Sequence, residues 1–147
     1  MFMKMHEIQE WISDAARRQG IRIRELSQNE AMEVQDEVTR RYVKVSTPCT
    51  WWWNLSRPID ESYDRNTVRL SSIIPTRAGS CWLIPDTEEE WLPVYELEMD
   101  QIEMLIDDCP GFEYYLVAKD FSWFIVETHH DQYYICRASD RLPEMTK

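Results

Sequence analysis

The stretch ETHHD, residues 127–131, holds the densest group of side chains that could do chemistry. Glu127, His129, His130 and Asp131 could bind a metal ion, because imidazole nitrogens and carboxylate oxygens are common metal ligands. One histidine could instead act as a general acid or base beside Glu127, because histidine titrates near neutral pH. Adjacent residues of a strand point to opposite faces, so the two histidines converge only if the chain bends sharply. We therefore predict a hairpin turn first. The alternatives are a catalytic site of His129, His130 and Glu127, or a metal site of His129, His130 and Asp131.

The rest of the sequence adds little support for catalysis. It contains no HExxH or GxSxG motif and no glycine-rich nucleotide loop, and its third histidine, His6, lies far away in the chain. No cysteine has a histidine nearby in sequence. We predict no cofactor. The four cysteines are widely spaced, which favours reduced core thiols over a disulfide framework or a zinc site.

Negative charge is concentrated in one segment of the chain. The net charge is −11, and residues 86–131 contain fourteen acidic residues and one basic residue, Lys119. A surface of this sign disfavours contact with nucleic acid and favours a basic protein partner. Tryptophan and tyrosine often anchor such interfaces. The predicted partner-binding residues are Glu88, Glu89, Glu90, Asp107, Asp108, Glu113, Trp52 and Tyr115. For the aromatic residues, ordinary core and cross-strand packing is the alternative.

The hydrophobic pattern predicts an α+β fold in one domain spanning residues 1–147. An antiparallel sheet of about five strands ends in a β-meander, and two N-terminal helices and one later helix pack on one face. Ser27 and Glu30 have the spacing of a capping box, and Asp100 and Glu103 repeat that spacing before the last helix. The predicted helices are 3–19, 28–42, a short one within 67–75, for which a strand is the alternative, and one that begins after residue 100. The predicted strands are 21–25, 80–85, 91–98, 112–118, 122–128 and 132–137, and residues 59–66 are predicted to form a loop.

Three quoted stretches carry a resemblance to a known family: TWWWNL, VYELEMDQIEMLIDDC and FEYYLVAKDFSWFIVETHHD. Together they resemble a family of small, mostly uncharacterised bacterial proteins with a Trp-Trp-Trp motif and an aromatic strand pair that ends in a His-His-Asp turn. An asparagine usually precedes the two histidines in that family, whereas Thr128 stands here, so a role that needs the amide does not transfer. The chain is also similar, more faintly, to small acidic immunity proteins that neutralise bacterial toxins. The resemblance implies a bacterial origin and a binding role, and it transfers no catalytic residue.

These observations lead to one preferred function and two alternatives. We expect a non-catalytic interaction module of the immunity or inhibitor type, with a basic protein as its partner. The alternatives are a metal-binding or acid–base enzyme at residues 127–131, and a small-ligand regulatory domain with a pocket lined by tryptophans. The N-terminal stretch does not resemble a signal peptide, and no apolar run is long enough to span a membrane, so we expect a soluble cytoplasmic protein.

Overall fold

The computed structural model describes residues 5–43, 51, 55–56, 58–75, 78–87, 92–128 and 131–137. Within these residues the chain forms four α-helices and seven strands. In chain order they are α1 (Met5–Gln19), β1 (Ile23–Glu25), α2 (Gln28–Tyr42), β2 (Glu61–Asp64), α3 (Leu70–Ile73), β3 (Ser80–Pro85), β4 (Tyr95–Glu98), α4 (Ile102–Asp107), β5 (Tyr114–Ala118), β6 (Trp123–Glu127) and β7 (Gln132–Arg137).

All seven strands belong to one antiparallel sheet with the order β1-β4-β3-β5-β6-β7-β2. The α+β class, the antiparallel sheet and the C-terminal meander are confirmed, but the sheet is larger than predicted. The prediction of a loop at residues 59–66 is wrong, because Glu61–Asp64 form β2 and pair with β7. This short edge strand is rich in charge and lacks the apolar alternation by which a strand is recognised.

Helix α2 begins and ends as its sequence predicts, and α1 ends at the predicted residue, whereas its predicted start at residue 3 lies outside the described residues. Ser27 Oγ accepts a hydrogen bond from the Glu30 amide, and the Glu30 carboxylate accepts one from the Ser27 amide, which completes the capping box. Gly20 follows α1 with a φ of 67°, a left-handed conformation that costs glycine little. These local signals are strong because they depend on neighbouring residues alone.

Helices cover both faces of the sheet, so the prediction that they pack on one face is wrong. On the face that we call the first face, α1, α3 and α4 pack against alternate strand residues such as Leu83, Leu116 and Ile125. On the second face, α2 packs against the intervening residues such as Val117 and Phe124. The central strands β5 and β6 are buried at every position, as strands covered on both faces must be.

The entry to α4 differs from the predicted cap. A 3-10 turn at Met99–Gln101 precedes the helix, and Gln101 stands at the N-cap without a side-chain hydrogen bond. The Glu103 carboxylate does not return to Asp100. It accepts a hydrogen bond from the Ser71 amide at 2.8 Å and pairs with Arg69. A tertiary contact has therefore replaced the local cap.

Candidate functional site

The turn between β6 and β7 contains the residues that the sequence nominates for chemistry. Glu127 is the last residue of β6, and the Thr128 amide donates to the Gln132 carbonyl oxygen at 2.9 Å. Asp131 has a φ of 61°, a left-handed conformation that aspartate adopts more readily than most residues. The prediction of a hairpin turn is therefore confirmed.

Glu127 faces the covered first face of the sheet. Its side chain is 11% exposed, and Arg65 Nε lies 2.7 Å from Glu127 Oε2. Burial raises the pKa of Glu127 above its ordinary value, although the Tyr114 hydroxyl and the Arg65 guanidinium each lower it. A carboxyl group in such an environment exchanges its proton closer to neutral pH than an exposed one does.

Glu127 belongs to a row of polar side chains that crosses four strands on the first face. The register places Tyr114 on β5, Glu127 on β6, Tyr133 on β7 and Tyr63 on β2 opposite one another in turn. The Tyr114 hydroxyl is buried close to the Glu127 carboxylate and Tyr133, but it makes no hydrogen bond of normal geometry to either. Burial raises the pKa of Tyr114, and the nearby Glu127 carboxylate and Tyr133 raise it further. A phenol in this state is held neutral and donates at most a weak hydrogen bond to the carboxylate beside it.

Arg65 joins this row to the β6–β7 turn. Its amide donates to the Asp131 carbonyl oxygen at 2.9 Å, and its Nη1 atom lies 3.5 Å from Asp131 Oδ1. Asp64 fixes the turn that carries Arg65, because Asp64 Oδ1 accepts a hydrogen bond from the Asn66 amide at 2.9 Å. Sequence reasoning missed Arg65 because residues 59–66 were predicted to be a loop. The alternation of Glu61 and Tyr63 is the one signal that could have revealed the strand preceding it.

The described part of this turn does not form a metal centre. Glu127 and Asp131 both contact the Arg65 guanidinium, whose charge opposes a metal ion at that position. No group of three or more histidine, cysteine, aspartate or glutamate residues among the described residues is arranged to hold a metal. His129 and His130 lie outside the described residues, so the metal and acid–base predictions that include them stay predictions.

The outer face of α4 forms an acidic groove. Asp100, Glu103, Asp107 and Asp108 line a groove of about 480 Å³ together with residues of α1 and of the segment around α3. Met104 lies among these carboxylates and is 41% exposed. Residues spaced by three or four positions share one side of a helix, which explains why these five side chains lie together.

Arginines from distant parts of the chain pair with some of these carboxylates. Arg18 Nε lies 3.0 Å from Asp108 Oδ2, and Arg69 pairs with Glu103. Asp100 and Asp107 are exposed and form no ion pair within the residues that the structure describes. The local charge of the groove is therefore less negative than residues 86–131 suggest by themselves, but it remains acidic.

Of the other predicted partner-binding residues, Tyr115 is not at the surface. It is fully buried on the second face, where its ring stacks on Trp51 with centroids 4.8 Å apart. Its hydroxyl donates to Asp86 Oδ2 at 2.7 Å and accepts from the Trp51 amide at 2.8 Å. The expectation that Tyr115 is an exposed anchor is wrong, because α2 and Trp51 cover the face that was expected to be open. The half-buried Glu113 follows α4.

Four predicted contact residues, Glu88, Glu89, Glu90 and Trp52, lie outside the described residues. Predictions for them remain untested. One exposed acidic residue of the groove that sequence reasoning left out of the contact set is Asp100, which was assigned to a helix cap. Its position four residues before Met104 and seven before Asp107 is the pattern that places it on the same side.

Comparisons with known proteins place the chain in a family. A model of a family of unknown function, DUF6756, matches residues 4–146, so the chain belongs to that family. Searches of curated proteins and of solved structures found no match. Among the residues that the structure describes, no helix has the length and apolar character needed to cross a membrane.

Proposed function

We propose that this member of the DUF6756 family is a non-catalytic interaction module of the immunity or inhibitor type, which binds a basic protein through the acidic groove on α4. The observation that carries the proposal is the pair of exposed carboxylates, Asp100 and Asp107, which line the groove together with Glu103 and Asp108. Glu88, Glu89, Glu90 and Trp52 would extend the contact surface.

The acidic side of α4 is locally unfavourable for the isolated chain. Glu103 and Asp107 are four residues apart, and a like-charged pair at this spacing costs a helix about 0.2–0.5 kcal/mol. Asp107 and Asp108 also stand at the C-terminal end of α4, where a negative charge is opposed by the helix dipole. Arg69 and Arg18 offset part of these effects at Glu103 and Asp108, and lysine or arginine side chains of a partner would relieve the rest at Asp107.

Met104 gives the groove a second kind of contact. It is exposed among the carboxylates, and methionine is enriched at the centres of protein interfaces because its flexible side chain adapts to different surfaces. A basic partner with an apolar residue among its cations therefore matches the groove better than a uniformly charged polymer does. The apolar contact at Met104 would therefore distinguish specific binding from nonspecific attraction between opposite charges.

A capture experiment with matched variants tests the proposal. The wild-type protein, a groove variant with Asp100→Lys and Asp107→Lys, and a control variant with Glu33→Lys and Asp36→Lys would be immobilised and exposed to lysate of the source organism. Glu33 and Asp36 are exposed residues of α2, on the opposite face of the sheet. Both variants change the net charge by the same amount, so they differ only in where the charge is changed.

We expect wild type and the control variant to retain the same basic protein, and the groove variant to lose it. Replacing Met104 with serine should weaken retention at high salt, where charge attraction is screened. Equal retention by all three proteins would place the binding surface elsewhere. If both charge variants lost the captured protein equally, net charge alone would explain its retention, and the proposal would be contradicted.

A further inference from the structure

Two of the four carboxylates that line the acidic groove are held by arginines of the same chain. Arg18 Nε lies 3.0 Å from Asp108 Oδ2, and Arg18 Nη2 donates to the Asp108 backbone oxygen at 3.3 Å. Arg69 pairs with Glu103 Oε2, while Glu103 Oε1 accepts a hydrogen bond from the Ser71 amide at 2.8 Å. Both side-chain oxygens of Glu103 and two oxygens of Asp108 therefore have partners within the chain.

The other two carboxylates of the groove are open. Asp100 and Asp107 are exposed and form no ion pair within the residues that the structure describes. They are seven positions apart, which corresponds to about 10 Å along a helix, and the exposed Met104 lies between them. A basic segment that enters the groove therefore meets two open carboxylates with an apolar contact between them, and not a row of four equivalent charges.

The internal arginines compete with any cation that enters the groove. An arginine of the same chain is always near its carboxylate, so its effective concentration is far higher than that of a dilute cation in solution. Arg18 also contacts two oxygens of Asp108 through its planar guanidinium, and a lysine ammonium is a compact point charge that does not reproduce this geometry. A polycation gains less at Asp108 and Glu103 than at the open carboxylates.

We propose that Arg18 and Arg69 are specificity residues of the acidic groove, an inference that rests on the partner-binding function proposed above. They neutralise Asp108 and Glu103 and so weaken the attraction of unselected polycations. They leave Asp100 and Asp107 to a partner whose cations are about 10 Å apart with an apolar residue between them. Specificity of this kind comes from making the wrong partners bind less well.

Binding of two labelled peptides, measured by fluorescence anisotropy at about 0.1 M ionic strength, tests the proposal. One probe is hexalysine, and the other is an alanine-based helical peptide with two lysines seven residues apart and a leucine between them. The variants are Arg18→Gln, Arg69→Gln and a control, Arg40→Gln. Arg40 pairs with Glu37 on α2, on the opposite face of the sheet, so the control also removes one positive charge and one ion pair.

We expect hexalysine to bind Arg18→Gln and Arg69→Gln about threefold more tightly than wild type, because each variant opens one carboxylate of the groove. The gain is small because the two arginine side chains are 55% and 75% exposed. Arg40→Gln should leave hexalysine binding nearly unchanged. The helical peptide should change by less than about 1.5-fold in every variant, because the two carboxylates that it meets are open in all of them.

A second background separates the ion pair from the general effect of charge. Glu103→Gln removes the carboxylate that Arg69 covers and keeps an oxygen for the Ser71 amide. In this background, Arg69→Gln should change hexalysine binding no more than Arg40→Gln does, because there is no carboxylate left to open.

Four results would overturn the proposal. They are equal tightening of hexalysine by Arg69→Gln and Arg40→Gln, equal tightening of both peptides, tightening that persists in the Glu103→Gln background, and no binding of hexalysine to any variant. The lysate capture described above tests the underlying function separately. If the groove variant Asp100→Lys with Asp107→Lys still retains the basic protein, the proposed function itself has failed.

Discussion

Replacing Tyr114 with phenylalanine removes one oxygen atom from the buried row on the first face. The ring stays in place, and the hydroxyl that is lost lies beside Glu127 without a hydrogen bond of normal geometry. A hydrogen bond of normal geometry contributes about 0.5–1.5 kcal/mol, and a poorly aligned one contributes less. We therefore expect Tyr114→Phe to change the free energy of unfolding by less than about 1 kcal/mol.

The neighbouring tyrosine provides a matched control with a larger expected effect. Tyr115 is equally buried, but its hydroxyl bonds both Asp86 and the Trp51 amide. Tyr115→Phe removes two hydrogen bonds, so we expect a loss of about 2–3 kcal/mol. Urea unfolding followed by tryptophan fluorescence measures both changes. Destabilisation of similar size in the two variants would show that the Tyr114 hydroxyl makes a hydrogen bond of normal strength, and the reasoning about the first face would then be wrong.

Two further predictions concern the packing of α2 and the charge of Glu127. The buried Gln35 side chain donates to the Leu92 carbonyl at 2.7 Å and accepts from the Leu92 amide at 3.1 Å, so Gln35→Ala should cost about 2–4 kcal/mol in urea unfolding. Gln28→Ala, at an exposed position of the same helix, should change stability little. Because burial raises the pKa of Glu127, the folded state keeps its proton at pH values where the unfolded chain has lost it. The stability of wild type relative to Glu127→Gln should therefore fall as the pH rises above 4.5, the ordinary value; a constant difference would contradict this pKa direction.

Elements specified by neighbouring residues could be predicted from the sequence. The capping box at Ser27, the stop at Gly20 and the three strands of the meander follow from local spacing and alternation. Elements that depend on a distant partner could not. The strand Glu61–Asp64 is an example, because β7 lies about seventy residues later in the chain and supplies its hydrogen bonds.

The same distinction explains the outcome at the candidate sites. The hairpin that joins β6 to β7 is local, and its prediction is confirmed. Arg65 comes to this turn only through the pairing of β2, so the charge partner of Glu127 was missed. Tyr115 was expected at the surface because strand alternation cannot tell which of two faces is covered when helices lie on both.

The distribution of charge along the sequence also differs from its distribution in the folded protein. Residues 86–131 are strongly acidic in sequence, yet Arg18, Arg24, Arg65 and Arg69 reach them from earlier parts of the chain. Among the described residues of this segment, Asp100 and Asp107 on the outer side of α4 stay exposed and form no ion pair. The sequence therefore predicted that the surface charge is negative. The ion pairs determine where carboxylates without a partner lie on that surface.

The association rate of the captured partner with wild type, the groove variant and the control variant is the most direct measurement. It would be made at about 0.1 M and about 1 M ionic strength, where the screening length falls from about 10 Å to about 3 Å. Binding through the acidic groove predicts fast, salt-sensitive association for wild type and the control, and slow, nearly salt-insensitive association for Asp100→Lys with Asp107→Lys. Equal rates and equal salt dependence for all three proteins would contradict the role of α4.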